Sequence, residues 1–139
     1  MTKRNIAVDL LKKFLGVPYK WSGNDTIGGF DCSGLVIEVL QSTGIMPRKE
    51  DHTADGLSRL YPETDILQAG VLVFYDWNND GVMEHVEMVA LVDDDGEIFT
   101  IGASGGGSDT TTLQAASQSN AFVKLRPILS GYKKAVDPY

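Results

Sequence analysis

The hydrophobic period of the chain changes at Gly70, and that change dictates a two-part fold. Before it, apolar residues recur at helical spacing. Residues 5–15 place Ile6, Leu10, Leu11 and Phe14 on one face, and Gly16-Val17-Pro18 ends the run. Leu35, Val36, Val39 and Leu40 form a second helical stripe that stops near Gly44. Residues 53–60 predict a short third helix before Pro62. After Gly70 the period falls to two. Val71-Leu72-Val73-Phe74-Tyr75 reads as a short apolar strand. Val86, Met88 and Ala90 alternate with His85, Glu87 and Val89, which predicts a strand with one face buried. Residues 97–101 follow the turn Asp93-Asp94-Asp95-Gly96, and residues 121–125 give a last strand. Helices followed by an antiparallel meander make an α+β fold. Residues 129–139 are polar, contain Pro138 and are expected to pack loosely.

A length of 139 residues suits one domain, 1–139, with one core. The single cysteine excludes an intrachain disulfide and a multi-cysteine metal site. A net charge of -7 argues against nucleic acid as a partner, because neutralising phosphates needs clustered Lys and Arg. It also argues against unaided adhesion to anionic membranes or polyanionic walls. No apolar run approaches membrane-spanning length, so no membrane insertion is expected. Asp9, Lys12 and Lys13 interrupt the apolar residues after the basic start, so no signal peptide is read. Cytosolic synthesis and a monomer are expected.

The lone Cys32 lies where a glycine-rich loop, residues 22–29, gives way to the second helix. Asp31 or Ser33 can cap that helix. A thiol in the first turn faces the positive end of the helix dipole, which favours the nucleophilic thiolate. A thiol protease also needs an imidazole to hold and deliver a proton. His85 opens a predicted strand and can supply it. A cysteine at a helix start facing a histidine on a sheet is the papain-type arrangement. His52 lies in the polar run Glu50-Asp51-His52-Thr53 and reads as a surface loop residue.

These residues resemble the NlpC/P60 family of cell-wall cysteine peptidases. Gly16-Val17-Pro18-Tyr19-Lys20-Trp21-Ser22-Gly23 is similar to that family's G-x-P-Y-x-W-G-G block, and Phe30-Asp31-Cys32-Ser33-Gly34-Leu35-Val36 matches its F-D-C-S-G-L-V motif. Leu67-Gln68-Ala69-Gly70-Val71-Leu72-Val73-Phe74-Tyr75 resembles its L-x-P-G-D-L-V-F-F strand. His85-Val86-Glu87-Met88-Val89 sits where the family has H-V-G-I-Y, and Ile101-Gly102-Ala103-Ser104 where it has I-H-A-S. The resemblance implies a papain-like α+β fold and cleavage of peptide bonds in bacterial peptidoglycan stem peptides, commonly next to D-glutamate. It implies Cys32 as nucleophile, His85 as base and acid, and Tyr19 as a donor to the developing oxyanion, helped by the Cys32 backbone N–H. It also implies that Trp21, Asp31 and Ser33 line the substrate groove, with Asp31 able to hold a free amine. No cofactor is required by this chemistry. The missing signal peptide fits a phage-type lysin or a virion-associated enzyme. Amide hydrolysis at the sugar–peptide junction by the same thiol, and a non-catalytic wall-binding or assembly module, are the competing functions.

Two positions depart from the family pattern. The family usually carries a polar residue, often histidine, that orients the imidazole, and here that position is Gly102. A water, a backbone carbonyl or a shifted residue would have to take over. Glu87 replaces a usual glycine, and strand alternation puts it on the His85 face, where it either raises the imidazole pKa or contacts a cationic substrate group. Separately, Asp76-Trp77-Asn78-Asn79-Asp80-Gly81 reads D-x-N-x-D-G with Glu87 at the twelfth position, an oxygen-ligand pattern for calcium. Asp76, Asn78 and Asp80 are the expected ligands, in a loop flanked by strands rather than helices. Residues 102–108 are glycine-rich, lack the Lys-Ser/Thr of a phosphate loop, and are expected to form a mobile rim of the groove.

Overall fold

The computed structural model describes residues 2–25, 29–106 and 109–139. Helix α1 spans Lys3–Lys13; the Thr2 hydroxyl caps it by accepting the Asn5 N–H at 3.1 Å. Lys12 and Lys13 occupy its last turn, where cations suit the dipole. The buried face is Ala7, Val8 and Leu11, with Phe14 just beyond. Ile6, expected in the core, is 44% exposed. Packing of α1 against the second helix fixes its rotation, and small Ala7 lies on that face.

A two-stranded hairpin, β1 (Asn24–Asp25) and β2 (Gly29–Phe30), leads into α2 (Cys32–Ser42). Six residues of α2 are buried, from Gly34 to Leu40, so it is the central helix. Gly44, at φ +77°, turns the chain out of it. The short α3 spans Ala54–Leu57. The sheet follows: β3 (Leu72–Tyr75), β4 (His85–Val92), β5 (Ile98–Ser104), β6 (Phe122–Pro127) and β7 (Lys134–Val136), in the order β6-β5-β4-β3-β7, with every pairing antiparallel. A further helix, α4 (Leu113–Gln118), joins β5 to β6.

The sheet is covered on both faces. Leu72, Phe74, Val86, Met88 and Ile101 pack with Leu35, Val36, Val39 and Leu40 of α2. The opposite face buries Val71, Val73, Tyr75, Val89 and Ala135 under Leu67, Ile128 and Leu129. The expectation of one buried face on β4 is therefore corrected: chain segments on either side of the sheet close over the second face. The expectation of a loosely packed C-terminus is corrected with it. β7 pairs with β3, Arg4 bonds Asp137 at 2.8 Å, and the Tyr139 hydroxyl lies 2.8 Å from Thr43 Oγ1. Long-range pairing, which local composition does not encode, holds this segment.

Candidate active site

Three segments bring the candidate groups together. The first is the start of α2. Asp31 caps the helix, its Oδ1 accepting the Gly34 N–H at 2.7 Å. A Cβ on Gly34 would press into the Gly23 carbonyl oxygen, so glycine there lets the preceding loop close onto the helix start. Cys32 is thereby fixed at the first position of α2, half-buried, with Sγ 3.8 Å from the Glu84 carbonyl oxygen.

The second segment is residues 18–21. Tyr19 bridges to Phe30 and hydrogen-bonds through its N–H to Ala121. Its side chain is buried at the edge of the cleft that contains Cys32. Burial, then the nearby charges of Cys32 and Asp31, push its hydroxyl pKa up, so at neutral pH it keeps its proton and remains a donor.

The third is the start of β4. His85 is buried, and Cys32 is close enough to act on its imidazole. Trp77 stacks on its ring, with centroids 5.1 Å apart and an interplanar angle of 19°. Behind the ring lies Glu87. Its Oε2 is 2.6 Å from His85 Nε2, which leaves Nδ1 for the thiol. Thr100 Oγ1 donates to Glu87 Oε1 at 2.6 Å, and Arg126 Nη2 donates to Oε2. The placement of Glu87 in contact with substrate is corrected: it is fully buried, with its carboxylate bonded to His85, Thr100 and Arg126.

The charges support one another. Burial disfavours the imidazolium, but hydrogen bonds and charge from Cys32 and Glu87 outweigh it and raise the His85 pKa to about 9. Burial likewise opposes the Glu87 carboxylate, but His85, Arg126 and Thr100 outweigh it and lower its pKa to about 2. The raised His85 pKa stabilises the fold below pH 6.5, and that contribution is lost as pH rises through about 9. The lowered Glu87 pKa stabilises it above pH 4.5, and that contribution is lost as pH falls toward about 2. Both contributions are complete between pH 4.5 and 6.5. Thermal melts across pH should therefore show the wild-type advantage over Glu87→Gln largest in that window; an advantage independent of pH would contradict this coupling.

The cleft at Cys32 has a volume of about 210 Å³, and its lining includes Tyr19, Trp21, Asp31, Ser33 and Glu84. Trp21 is exposed on its wall. Ser33 Oγ donates to Asp31 Oδ1 at 3.3 Å, and burial outweighs this and the other hydrogen bonds to raise the Asp31 pKa. A second cavity of about 240 Å³ shares Asp31 and Ser33 with the first and adds Asp51 and His52. His52, read from sequence as a surface loop residue, thus faces this cavity, with Nε2 3.0 Å from Glu50 Oε1.

In the loop 76–81, Asp76 Oδ2 accepts the Gly81 N–H at 2.8 Å and Oδ1 the Asp80 N–H at 3.2 Å. Carboxylate oxygens of Asp76, Asp80 and Glu84 lie within 4.8 Å of one another. Glu87, at the twelfth position of the pattern, is committed to His85 and does not close the loop. Asn78 is exposed on the same loop. Of the glycine-rich stretch expected to form the rim, Gly107 and Ser108 lie outside the described residues, while a Cβ on Gly106 would run into the Tyr19 ring.

The sequence profile of the NlpC/P60 family matches residues 16–127, which includes all of the groups described above. The chain belongs to the NlpC/P60 family. A crystal structure of an NlpC/P60 family protein from Bacillus cereus superposes on 96% of this NlpC/P60 chain with a TM-score of 0.70 and 27% identity, covering 39% of that protein. The fold is accordingly papain-like α+β. Among curated relatives, murein DD-endopeptidase MepH of Escherichia coli K12 is 32% identical over 85 residues, 58% of this chain and 31% of MepH. Gamma-D-glutamyl-L-lysine dipeptidyl-peptidase of Bacillus cereus is 37% identical over 79 residues, 55% of this chain and 23% of that protein. The NlpC/P60 chain therefore spans about a third or less of the length of these relatives. No helix among its described residues is long and apolar enough to cross a membrane.

Proposed function

We propose that this NlpC/P60 chain is a cysteine peptidase that hydrolyses peptide bonds in bacterial peptidoglycan stem peptides. The observation that carries the reading is Cys32 at the start of α2 beside a His85 imidazole backed by the Glu87 carboxylate. The endopeptidase and dipeptidyl-peptidase activities named for the two relatives support the substrate class.

In this reading the Cys32 thiolate attacks the scissile carbonyl carbon. The resulting oxyanion accepts hydrogen bonds from the Tyr19 hydroxyl and the Cys32 N–H. The imidazolium gives its Nδ1 proton to the leaving amine, the C–N bond breaks, and a thioester remains. Water, deprotonated by the now neutral imidazole, attacks the thioester; the carboxylic acid product leaves and the thiolate–imidazolium pair is restored. Trp21, Asp31 and Ser33 form the acyl-side wall, and the Asp31 carboxylate would receive a free stem-peptide amine.

Mass spectrometry of purified peptidoglycan treated with the protein, and with Cys32→Ala, tests this. New stem-peptide fragments made only by the unsubstituted protein are expected. Intact stem peptides freed from glycan would instead identify an amidase. Absence of any Cys32-dependent product across several wall types, with the protein folded, would identify a binding module.

A calcium ion is also proposed at the 76–81 loop, through Asp76, Asn78 and Asp80. Hard oxygen donors at this spacing suit calcium. Titration calorimetry at millimolar calcium should show binding that Asp76→Asn/Asp80→Asn abolishes; no heat with the unsubstituted protein would remove calcium from the proposal.

A further inference from the structure

His85 and Glu87 alternate onto one face of β4, so the carboxylate follows the imidazole along the strand. What makes this side chain unusual is its burial. A fully buried carboxylate is costly unless both oxygens are bonded. Here Oε1 is bonded by Thr100 of β5, and Oε2 by His85 and by Arg126 of β6. β5 lies between β4 and β6, so carboxylate and guanidinium meet across it. Gly102 is what leaves room for this. A Cβ on Gly102 would lie 2.6 Å from Glu87 Cγ and 2.8 Å from Cδ, closer than carbon atoms pack.

Resting on the peptidase reading of the same site, we propose that Glu87 is the positioning residue of the catalytic imidazole, seated by the vacancy at Gly102 and clamped by Arg126. The carboxylate fixes the ring so that Nε2–H points inward and Nδ1 points to Cys32. It also stabilises the imidazolium that the thiolate requires. Thr100 and Arg126 hold the carboxylate so that its rotamer, and therefore the ring, is set before substrate arrives. The charged and titratable groups facing His85 are Cys32 from α2, Tyr75 from β3, Glu87 on β4 and, through Glu87, Arg126 from β6; the groups from β5 are uncharged.

The test uses two readouts on the full chain: the pH dependence of Cys32 alkylation by iodoacetamide, which needs no substrate, and the pH profile of kcat/KM on stem peptides. Unsubstituted protein should alkylate rapidly near pH 6. Glu87→Gln keeps an acceptor for Nε2–H but removes the charge. Its basic limb should therefore move down by about one pH unit, roughly tenfold in ion-pair population on that limb. Glu87→Ala should lose both orientation and charge and be slower still. Gly102→Ala, whose methyl would press first on the Glu87 side chain, should reproduce the Glu87→Ala profile. In the double variant Glu87→Ala/Gly102→Ala the methyl enters emptied space, so it should be no slower than Glu87→Ala alone. If Glu87→Ala does not fold, Glu87→Gln and Gly102→Ala still decide the matter. A wild-type alkylation profile in Glu87→Gln, or effects of Glu87→Ala and Gly102→Ala that multiply, would overturn the proposal. Rapid alkylation with no cleavage of any wall peptide would instead overturn the peptidase reading and leave the positioning role standing.

Discussion

Cys32→Ala and His85→Ala should each lower stem-peptide hydrolysis by on the order of 10⁴-fold or more, with little change in melting temperature for Cys32→Ala. Cys32 is half-buried at a helix start and only its small side chain packs on the edge of the core, so trimming it to alanine removes a single sulfur's packing. The two groups act as one unit: without His85 no proton is delivered to the leaving amine, and without Cys32 no acyl-enzyme forms. The double variant should therefore be no slower than either single one. The pH profile has a direction as well. The reactive form pairs thiolate with imidazolium, so activity should fall as pH rises through the His85 value of about 9. Kinetics from pH 5 to 10 check this, and a basic limb centred near 6.5, the ordinary histidine value, would mean that Cys32 and Glu87 do not support the ring.

Phe30→Ala should cost about 3–5 kcal/mol of stability. Phe30 is fully buried, its ring centroid 5.1 Å from that of Phe14, and it belongs to the same core cluster as Leu35, Leu40 and Tyr19. Its backbone N–H donates to Pro18, and its carbonyl accepts from Lys20. The cavity would thus open directly beneath the segment that fixes Tyr19 and Cys32. Denaturant unfolding should show the loss, and hydrolysis below the midpoint should weaken as well, because the Cys32 and Tyr19 segments share that packing. A change under 1 kcal/mol would mean that the site is held from elsewhere.

The second helix and the four strands of the meander were legible because each carries a clear hydrophobic period. α2 and β4 appear where the apolar residues repeat. α4 and β7 were not legible. Leu113–Gln118 buries only Ala116, and Lys134–Val136 is three residues whose stability comes from pairing with β3. The face of α1 was misplaced because several rotations of a short amphipathic helix satisfy its sequence, and packing on α2 selects the one that exposes Ile6.

Within the site, Tyr19, Cys32, Asp31 and Ser33 could be grouped from motif chemistry, and they line one cleft. Glu87 was visible as a carboxylate on the His85 face, but alternation gives a face and not a depth. Arg126 carried no signal, since nothing local says that β6 lies beside β5. Gly102 read as a loss. The clue was available in register: Met88 pairs with Ile101, which places Glu87 opposite Gly102. A carboxylate opposite a glycine on an adjacent strand is a side chain given room to lie across its neighbour.

The residues alone determined the α+β class and pointed to Cys32 and His85, because hydrophobic period and side-chain chemistry are local properties. Only the tertiary structure decided what orients the imidazole. That choice depends on which strands are neighbours, on the space a missing Cβ leaves at Gly102, and on a guanidinium from β6 that makes a buried carboxylate affordable.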